Sequence, residues 1–460
     1  MPRQGLTAKG RASQARDGRA KGLPMFTPAQ RLAATQDLLA RAVKALDLGF
    51  GITLWDGTDI PPAQGNSPMR IVIADEGALA TLIRKPVLDT FLRLHIEGRI
   101  DWKDGTIFDL ATLRPKVKIK TVLKKIGFFR LAKALVLLGT APGRANFQAG
   151  DGDAASLKSG DAATNKKNIA YHYDVSNAFY KLFLDPDMVY TCAYYTPDFH
   201  WDIAKAQRDK LDMICRKLRM KPGQRHLDIG CGWGALICHA AEFYGVEAVG
   251  VTLSEEQAAL AREKIAARGL SDRVTVKLID YNDLEDAQFD TISSIGMFEA
   301  VGIDNHTKYF KAVHRLLKPS GLYLHHAISR PAKGSDKDFR KMRAEYRALV
   351  RYIFPGGELD HLGMSIANME RARFEIHDVE AWRMHYARTC RIWHDNIIAR
   401  RAEAEAEIGP EKTRMWLLYI GGCSLAFERG AVGIFQTLAS RKNKGFLPTP
   451  ATRADLYAER

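Results

Sequence analysis

Several things are scarce in this chain, and each shortage closes off a class of protein. The six cysteines, Cys192, Cys215, Cys231, Cys238, Cys390 and Cys423, include no C-x-x-C pair and no small-domain framework. Reduced thiols in a cytoplasmic protein are therefore expected, not disulfides or a zinc site. No run approaches the roughly 20 apolar residues of a membrane-spanning helix. The first 24 residues carry Arg3, Lys9, Arg11, Arg16, Arg19 and Lys21 but no apolar core of the kind a secretory signal needs. A disordered basic tail over residues 1–25 is expected, on a protein that is soluble or peripheral to a membrane. Residues 111–150 contain no Asp or Glu at all.

What is present is a long chain with a basic surplus. At 460 residues two domains are expected, and 46% hydrophobic content supports a large core. Lys and Arg exceed Asp and Glu by enough to give a formal net charge of +15. That suits an anionic partner, either nucleic acid or an anionic lipid surface.

The most informative stretch is 226–257, HLDIGCGWGALICHAAEFYGVEAVGVTLSEEQ. His226 to Ile229 reads as a buried strand carrying Asp228. Gly230, Gly232 and Gly234 make a turn whose backbone can approach a ligand, because no Cβ intervenes. Residues 235–244 read as a helix. A second strand, 248–252, ends at Thr252 and Leu253, and Ser254-Glu-Glu-Gln257 matches a capping box opening the next helix. Such a βαβ unit binds nucleotide-like ligands at the carboxyl end of its first strand. A dinucleotide fold would show G-x-G-x-x-G and an acid after the second strand. Here the spacing is G-x-G-x-G, and Thr252 and Gln257 stand where the acid would be. No Walker A lysine is present. The pattern is the usual form in S-adenosylmethionine-dependent methyltransferases, although the turn alone also admits another nucleotide-type ligand or a structural role.

Around this unit the chain divides into the basic tail (1–25), a small N-terminal domain (26–112), a basic amphipathic helix with a flexible linker (113–166) and a catalytic domain (167–460). In the small domain, 28–48 reads as a helix, 50–55 and 71–73 as strands, 81–97 as one helix and 98–105 as a hairpin-like turn. It shows no catalytic constellation, and docking or dimerisation is its expected role. Between 116 and 138, Lys116, Lys118, Lys120, Lys124, Lys125, Arg130 and Lys133 alternate with bulky apolar residues. A helix of this kind can lie in a membrane interface or form a core helix with a basic edge. Later elements alternate: helix 203–218, strands 274–279 and 289–294, helix 309–317, strand 322–326. A parallel sheet covered on both faces follows. Residues 338–430 read as mostly helical, and 434–438 as a final strand. Trp382, Tyr386, Cys390, Trp393 and Ile397 form a helical stripe, which suits a core or the roof of an apolar pocket.

Ten segments in order resemble the cyclopropane fatty acid synthases and their mycolic-acid relatives. They include YHYDVSNAFY (171–180), YTCAYY (190–195), LDIGCGWG (227–234), GVTLSEEQ (250–257), DYNDL (280–284), GMFEAVG (296–302), YLHHAI (323–328), YIFPGG (352–357) and the surroundings of Tyr386 and Cys423. The resemblance implies an α/β fold, a Rossmann-like class I methyltransferase sheet with a helical lid, beside a small α+β N-terminal domain. By resemblance, S-adenosylmethionine would be held by Tyr190, Thr191, Asp228, Gly230, Gly232, Gly234, Thr252, Leu253, Gln257, Tyr281 and Asn282. The family reaction places a methylene across a cis double bond of a phospholipid acyl chain.

The family is also similar in using a bicarbonate ion as base. Its cradle here would be Cys192, Glu299, His326, the Ile328 backbone and Tyr386. Cys423 matches a family cysteine linked to activity, for which packing suits its apolar helix better than nucleophilic attack. Ala300 departs from the His often found after the family's Glu. Tyr171, Tyr190, Tyr194, Phe298, Tyr352, Phe354 and Tyr386 supply aromatic faces that steady a cation without attacking it. Expected partners are unsaturated phospholipids at an anionic membrane surface, with a homodimer through the N-terminal domain. The expected location is cytoplasmic, at the inner face of the membrane. No metal is expected, and no nucleic acid, since no N-P-P-[YF] motif appears. A branched-chain product and a small-molecule N-methyltransferase stay open as alternatives.

Overall fold

The computed structural model describes residues 26–113, 127–145, 175–285, 288–341, 357–445 and 447–458. The basic tail, Lys116–Lys125, the linker 148–166, Tyr171, Tyr352 and Phe354 lie outside the described residues.

Two sheets organise the chain. The first has four strands: β1 (Gly51–Thr53), β2 (Asp59–Ile60), β3 (Arg70–Ile73) and β4 (Ile100–Lys103), in the order β2-β1-β3-β4. Its apolar face joins Val43, Leu54, Ala78 and Leu94 in one buried cluster. The helix Phe128–Gly139 adds Leu138 to the same cluster. Two expectations fail here. The helix expected over 81–97 is two helices, Glu76–Arg84 and Leu88–Ile96. Pro86 has no N–H and drives Lys85 out of helical geometry, to φ −132° and ψ 76°. Asp75, accepting the Ala78 N–H at 2.8 Å, caps the first helix five residues earlier than the apolar pattern suggests. The turn expected over 98–105 contains a strand, because Ile100–Lys103 pairs antiparallel with β3.

The second sheet holds β5 (Arg225–Ile229), β6 (Glu247–Thr252), β7 (Val274–Leu278), β8 (Phe289–Ile295), β9 (Leu317–Ser329), β10 (Phe374–Ala381) and β11 (Gly433–Arg441). Their order is β10-β11-β9-β8-β5-β6-β7. Strands β9, β8, β5, β6 and β7 are parallel neighbours, whereas β11 runs antiparallel to both β9 and β10. The sheet is thus mixed at one edge, and β10 corrects the helical reading of that region. Asp378 and Glu380 fall where the alternation begun by Phe374 and Ile376 calls for apolar residues, at a register shift between Ile376 and Asp378. Only pairing with β11 reveals it.

One face of this sheet packs the helices Ile203–Lys217, Ala235–Tyr244 and Glu255–Ala267. The other packs His306–Leu316. Beyond the carboxyl ends lie the antiparallel helices Arg383–Ala399 and Pro410–Glu428. The stripe Trp382, Cys390, Trp393 and Ile397 is buried there with Phe179, Phe183 and Trp416. The small N-terminal unit rests on these helices, with Arg391 3.7 Å over the Phe108 ring. Among the described residues no helix is long and apolar enough to cross a membrane.

The glycine turn is pinned to its neighbour strand. Gly230 and Cys231 both donate N–H bonds to the Val251 carbonyl, at 2.9 and 3.0 Å. Gly230 has φ +79°, and a Cβ there would lie 2.7 Å from Met297 Cγ. Gly250, opposite the turn on β6, is constrained by space alone: its Cβ would lie 2.7 Å from Cys231 Sγ and 2.8 Å from Ile237 Cδ1. Gly250→Ala is expected to lower the urea midpoint of unfolding by the equivalent of about 1–3 kcal/mol, with an unchanged m-value.

Candidate active site

One cavity of about 330 Å³ runs from the glycine turn to the paired helices above the sheet. Its floor is the carboxyl end of β5. Asp228 accepts the Ser293 hydroxyl at 2.6 Å, and Ser293 is held in turn by His226 Nε2 at 3.1 Å. Burial raises the Asp228 carboxyl to about 6. Gly230, Gly232, Thr252, Leu253, Gln257 and Tyr281 line the same end. The Thr252 hydroxyl donates to Gln257 Oε1 at 2.9 Å. The expected capping box is therefore half made: Ser254 accepts the Gln257 N–H, while the Gln257 side chain turns to Thr252. Burial pushes the Tyr281 hydroxyl up to about 12.

Two expected cofactor residues do not reach the cavity. Gly234 is absent from its lining and instead opens the helix Ala235–Tyr244 in left-handed geometry, φ 83°. Asn282 bonds Asp280 through both its backbone N–H (2.8 Å) and its side chain (2.7 Å). Asp280 lines the cavity in its place.

The opposite wall carries the residues expected to do chemistry. Cys192, Glu299, His326, Ile328, Tyr386 and Cys423 all line the cavity. Glu299 sits on a single 3₁₀ turn, Phe298–Ala300. Its Oε1 accepts the Ile328 N–H at 2.7 Å, while Oε2 is buried with no hydrogen-bond partner. Burial raises this carboxyl to about 7, against the pull of that N–H. His326 is buried, with Nδ1 3.2 Å from Gln436 Nε2 and Nε2 unpartnered. The Cys192 thiol donates to the Ala193 carbonyl at 3.3 Å, and burial holds it well above the ordinary thiol range. Burial pushes the Cys423 thiol up to about 12, which disfavours the thiolate at neutral pH. Tyr386 packs on Phe427 with ring centroids 4.7 Å apart. Tyr190 lies 5.1 Å from Trp393 and 5.3 Å from Tyr180.

The family model described as mycolic acid cyclopropane synthetase matches residues 161–437. The chain belongs to this family. It is an S-adenosylmethionine-dependent methyltransferase of the cyclopropane and fatty acid methyltransferase group, with the class I α/β fold. It is 37% identical to a probable fatty acid methyltransferase of Pseudomonas putida, over 91% of this chain and 99% of that one. It is 39% identical to the cyclopropane-fatty-acyl-phospholipid synthase of Escherichia coli, over 59% of this chain and 66% of that one. Among solved structures, the cyclopropane synthase MmaA2 of Mycobacterium tuberculosis matches with a TM-score of 0.57 and 30% identity, covering 60% of this chain and 98% of that one. The mycolic acid cyclopropane synthase CmaA1, complexed with SAH and CTAB, matches with a TM-score of 0.56 and 32% identity, covering 60% and 98%.

Family membership leaves some lining residues unannounced by any motif. Lys210 is the clearest. It lies on the helix Ile203–Lys217, is 2% exposed, and donates to Thr191 Oγ1 at 2.8 Å. Burial lowers its ammonium to about 8, against the pull of Asp185, Cys192 and Asp228. Gln207, one turn earlier, donates to the Thr191 carbonyl at 2.9 Å. The two residues therefore fix the Tyr190-Thr191 edge of the cavity. A signal existed: Gln207, Lys210 and Lys217 share helical register with the core residues Leu211 and Ile214.

Glu299 binds its proton more tightly in the folded state, about 7 against an ordinary 4.5. The folded protein then holds more protons across that window, so stability falls as pH climbs through it. Glu299→Gln removes the cost of burying the charge. Urea unfolding should find this variant more stable than wild type near pH 8, by on the order of 1–3 kcal/mol, and little changed near pH 5.

Proposed function

We propose that the protein transfers a one-carbon unit from S-adenosylmethionine to the cis double bond of an unsaturated phospholipid acyl chain and closes a cyclopropane ring. The observation that carries this reading is one continuous cavity with two chemically different ends. The end at Gly230, Thr252, Gln257, Asp280 and Tyr281 offers backbone and polar side chains to a nucleoside. The other end, Tyr386, Phe427, Val432 and Ile434, offers apolar and aromatic surface to a chain. Glu299 and His326 lie in the same lining, each with a buried polar atom that has no protein partner.

When bound, the donor supplies an electrophilic methyl. The protein supplies position and dryness. An alkene is a weak nucleophile, so the walls must hold it in line with the methyl at about 3–3.5 Å. Positive charge then develops on the acyl chain until a proton leaves the new methyl and the ring closes. Water would trap that charge as an alcohol, and the packed aromatic wall excludes it. The faces of Tyr386 and Phe427 steady the charge without attacking it.

For the base we propose a bicarbonate ion held by Glu299, His326, Tyr386 and, with rearrangement, the Ile328 N–H. The fit rests on the unpartnered Glu299 Oε2 and His326 Nε2. The Ile328 N–H is already given to Glu299, so Glu299 would have to release it. Cys192 borders the site but spends its S–H on a backbone carbonyl. The acceptor lipid is proposed to sit in an anionic membrane surface, in keeping with the +15 charge and with Phe129 and Val136, 87% and 54% exposed on one helix. A second reading keeps the methyl transfer but ends in a methyl- or methylene-branched chain. The relatives named fatty acid methyltransferase and tuberculostearic acid methyltransferase favour it, at 37% and 36% identity.

Incubation with S-adenosylmethionine and unsaturated phospholipid vesicles should add the mass of one CH₂ to the acyl chain. Gas chromatography separates ring from branch, and no product from folded protein would reject the lipid reading. Depleting bicarbonate should slow turnover, and indifference to it would remove the proposed base. Phe129→Asp with Val136→Asp should reduce co-sedimentation with anionic vesicles, and unchanged sedimentation would exclude that helix face.

A further inference from the structure

We propose that Gln436 and Lys217 are positioning residues that fix His326 as the tautomer protonated on Nε2, making its ring a hydrogen-bond donor in the cavity and not the base. This deepens the reading above and rests on it for the identity of what His326 donates to. The geometry stands without it.

Gln436 lies directly opposite His326, on neighbouring antiparallel strands β11 and β9. It is wholly buried, so its amide must satisfy both ends within the protein. Which end faces which neighbour is decided by Lys217. An ammonium has donors and no acceptor. Lys217 Nζ lies 2.8 Å from the Gln436 side chain, so the oxygen must be the end facing it. The amide NH₂ is then the end turned to His326, and it donates to Nδ1 at 3.2 Å. A nitrogen that accepts carries no proton, so the neutral ring carries its proton on Nε2. An imidazolium would set N–H against N–H.

The anchor itself is held. Lys217 is 1% exposed and ion-paired with Glu380 of β10, and its Nζ lies 5.3 Å from the Trp382 ring centre. That ring meets His326 edge-on at 5.2 Å. Burial, with Lys210, Lys217 and His325 adding to it, keeps the imidazole neutral. The ring lines the cavity with Nε2 as its unpaired nitrogen. It can therefore hold an acceptor oxygen beside Glu299 but cannot take up the proton lost in ring closure.

Nitrogen-15 spectra of the full-length histidine-labelled protein, without donor or lipid, test this. The His326 signals are assigned by their loss in His326→Asn or, if that variant does not fold, by their change in Gln436→Glu. The expected wild-type spectrum shows Nε2 bonded to hydrogen and Nδ1 bare. In Gln436→Glu the new carboxylate accepts from both Lys217 and the ring, so Nδ1 should become protonated. Turnover should fall roughly ten- to a hundredfold, while S-adenosylhomocysteine affinity by calorimetry moves less than about threefold. A wild-type ring protonated on Nδ1, or one whose tautomer is unmoved in Gln436→Glu, would overturn the proposal. The expected tautomer together with turnover indifferent to bicarbonate would support the relay and reject only the proposed anion.

Discussion

The constraint behind the catalytic half of this molecule is the burial of the Glu299 carboxylate. One of its oxygens has a single backbone N–H and the other has nothing. A group in that position is costly unless the site gains something by it. Its neighbours keep the cost bounded. The 3₁₀ turn carrying Glu299 is tied to Glu358, whose N–H donates to the Glu299 carbonyl and whose carboxylate accepts the Ile303 N–H at 2.8 Å. Burial of the carboxyl is what raises its pKa, to about 7.

The arrangement of the sheet explains why such a pocket forms at all. The parallel strands β5, β8 and β9 all end on the same side, so Asp228, Gly296 and His326 arrive at one edge. The antiparallel strand β11 then returns alongside β9 and places Gln436 across from His326. Without that reversal the imidazole would have solvent or an apolar side chain at Nδ1. The helices Arg383–Ala399 and Pro410–Glu428 cover the top with apolar and aromatic side chains.

Much of the site was legible along the chain because its pieces sit in short contiguous motifs. The G-x-G-x-G turn and Thr252 stand at the ends of strands, and Gln257 and Glu299 lie on the short segments that follow β6 and β8, where the local pattern is strong. Gly234 and Asn282 belong to the same motifs yet lie outside the cavity lining, and one-dimensional spacing does not separate lining residues from their neighbours. Lys210, Lys217 and Gln436 carry no motif. They are polar residues in core register on a helix and a strand, and burial alone gives them meaning. Strand β10 was hidden for the opposite reason: its charges mask the alternation, and its partner is more than fifty residues away in sequence.

By itself the sequence determined the alternation of strand and helix and the nucleotide-type turn, which depend on neighbours within a few tens of residues, and the family, which rests on short motifs read in order along the chain. Tertiary structure decided which side chains share the cavity and which protons they hold, whereas the break in the helix expected over 81–97 is local, set by Pro86 and by the Asp75 cap. The shared cavity and its protons follow from burial and from contacts between distant segments: desolvation raises Glu299, and a lysine on one helix orients a glutamine that orients a histidine. No local pattern encodes such effects, because each requires a low-dielectric interior that exists only once the chain has closed around it.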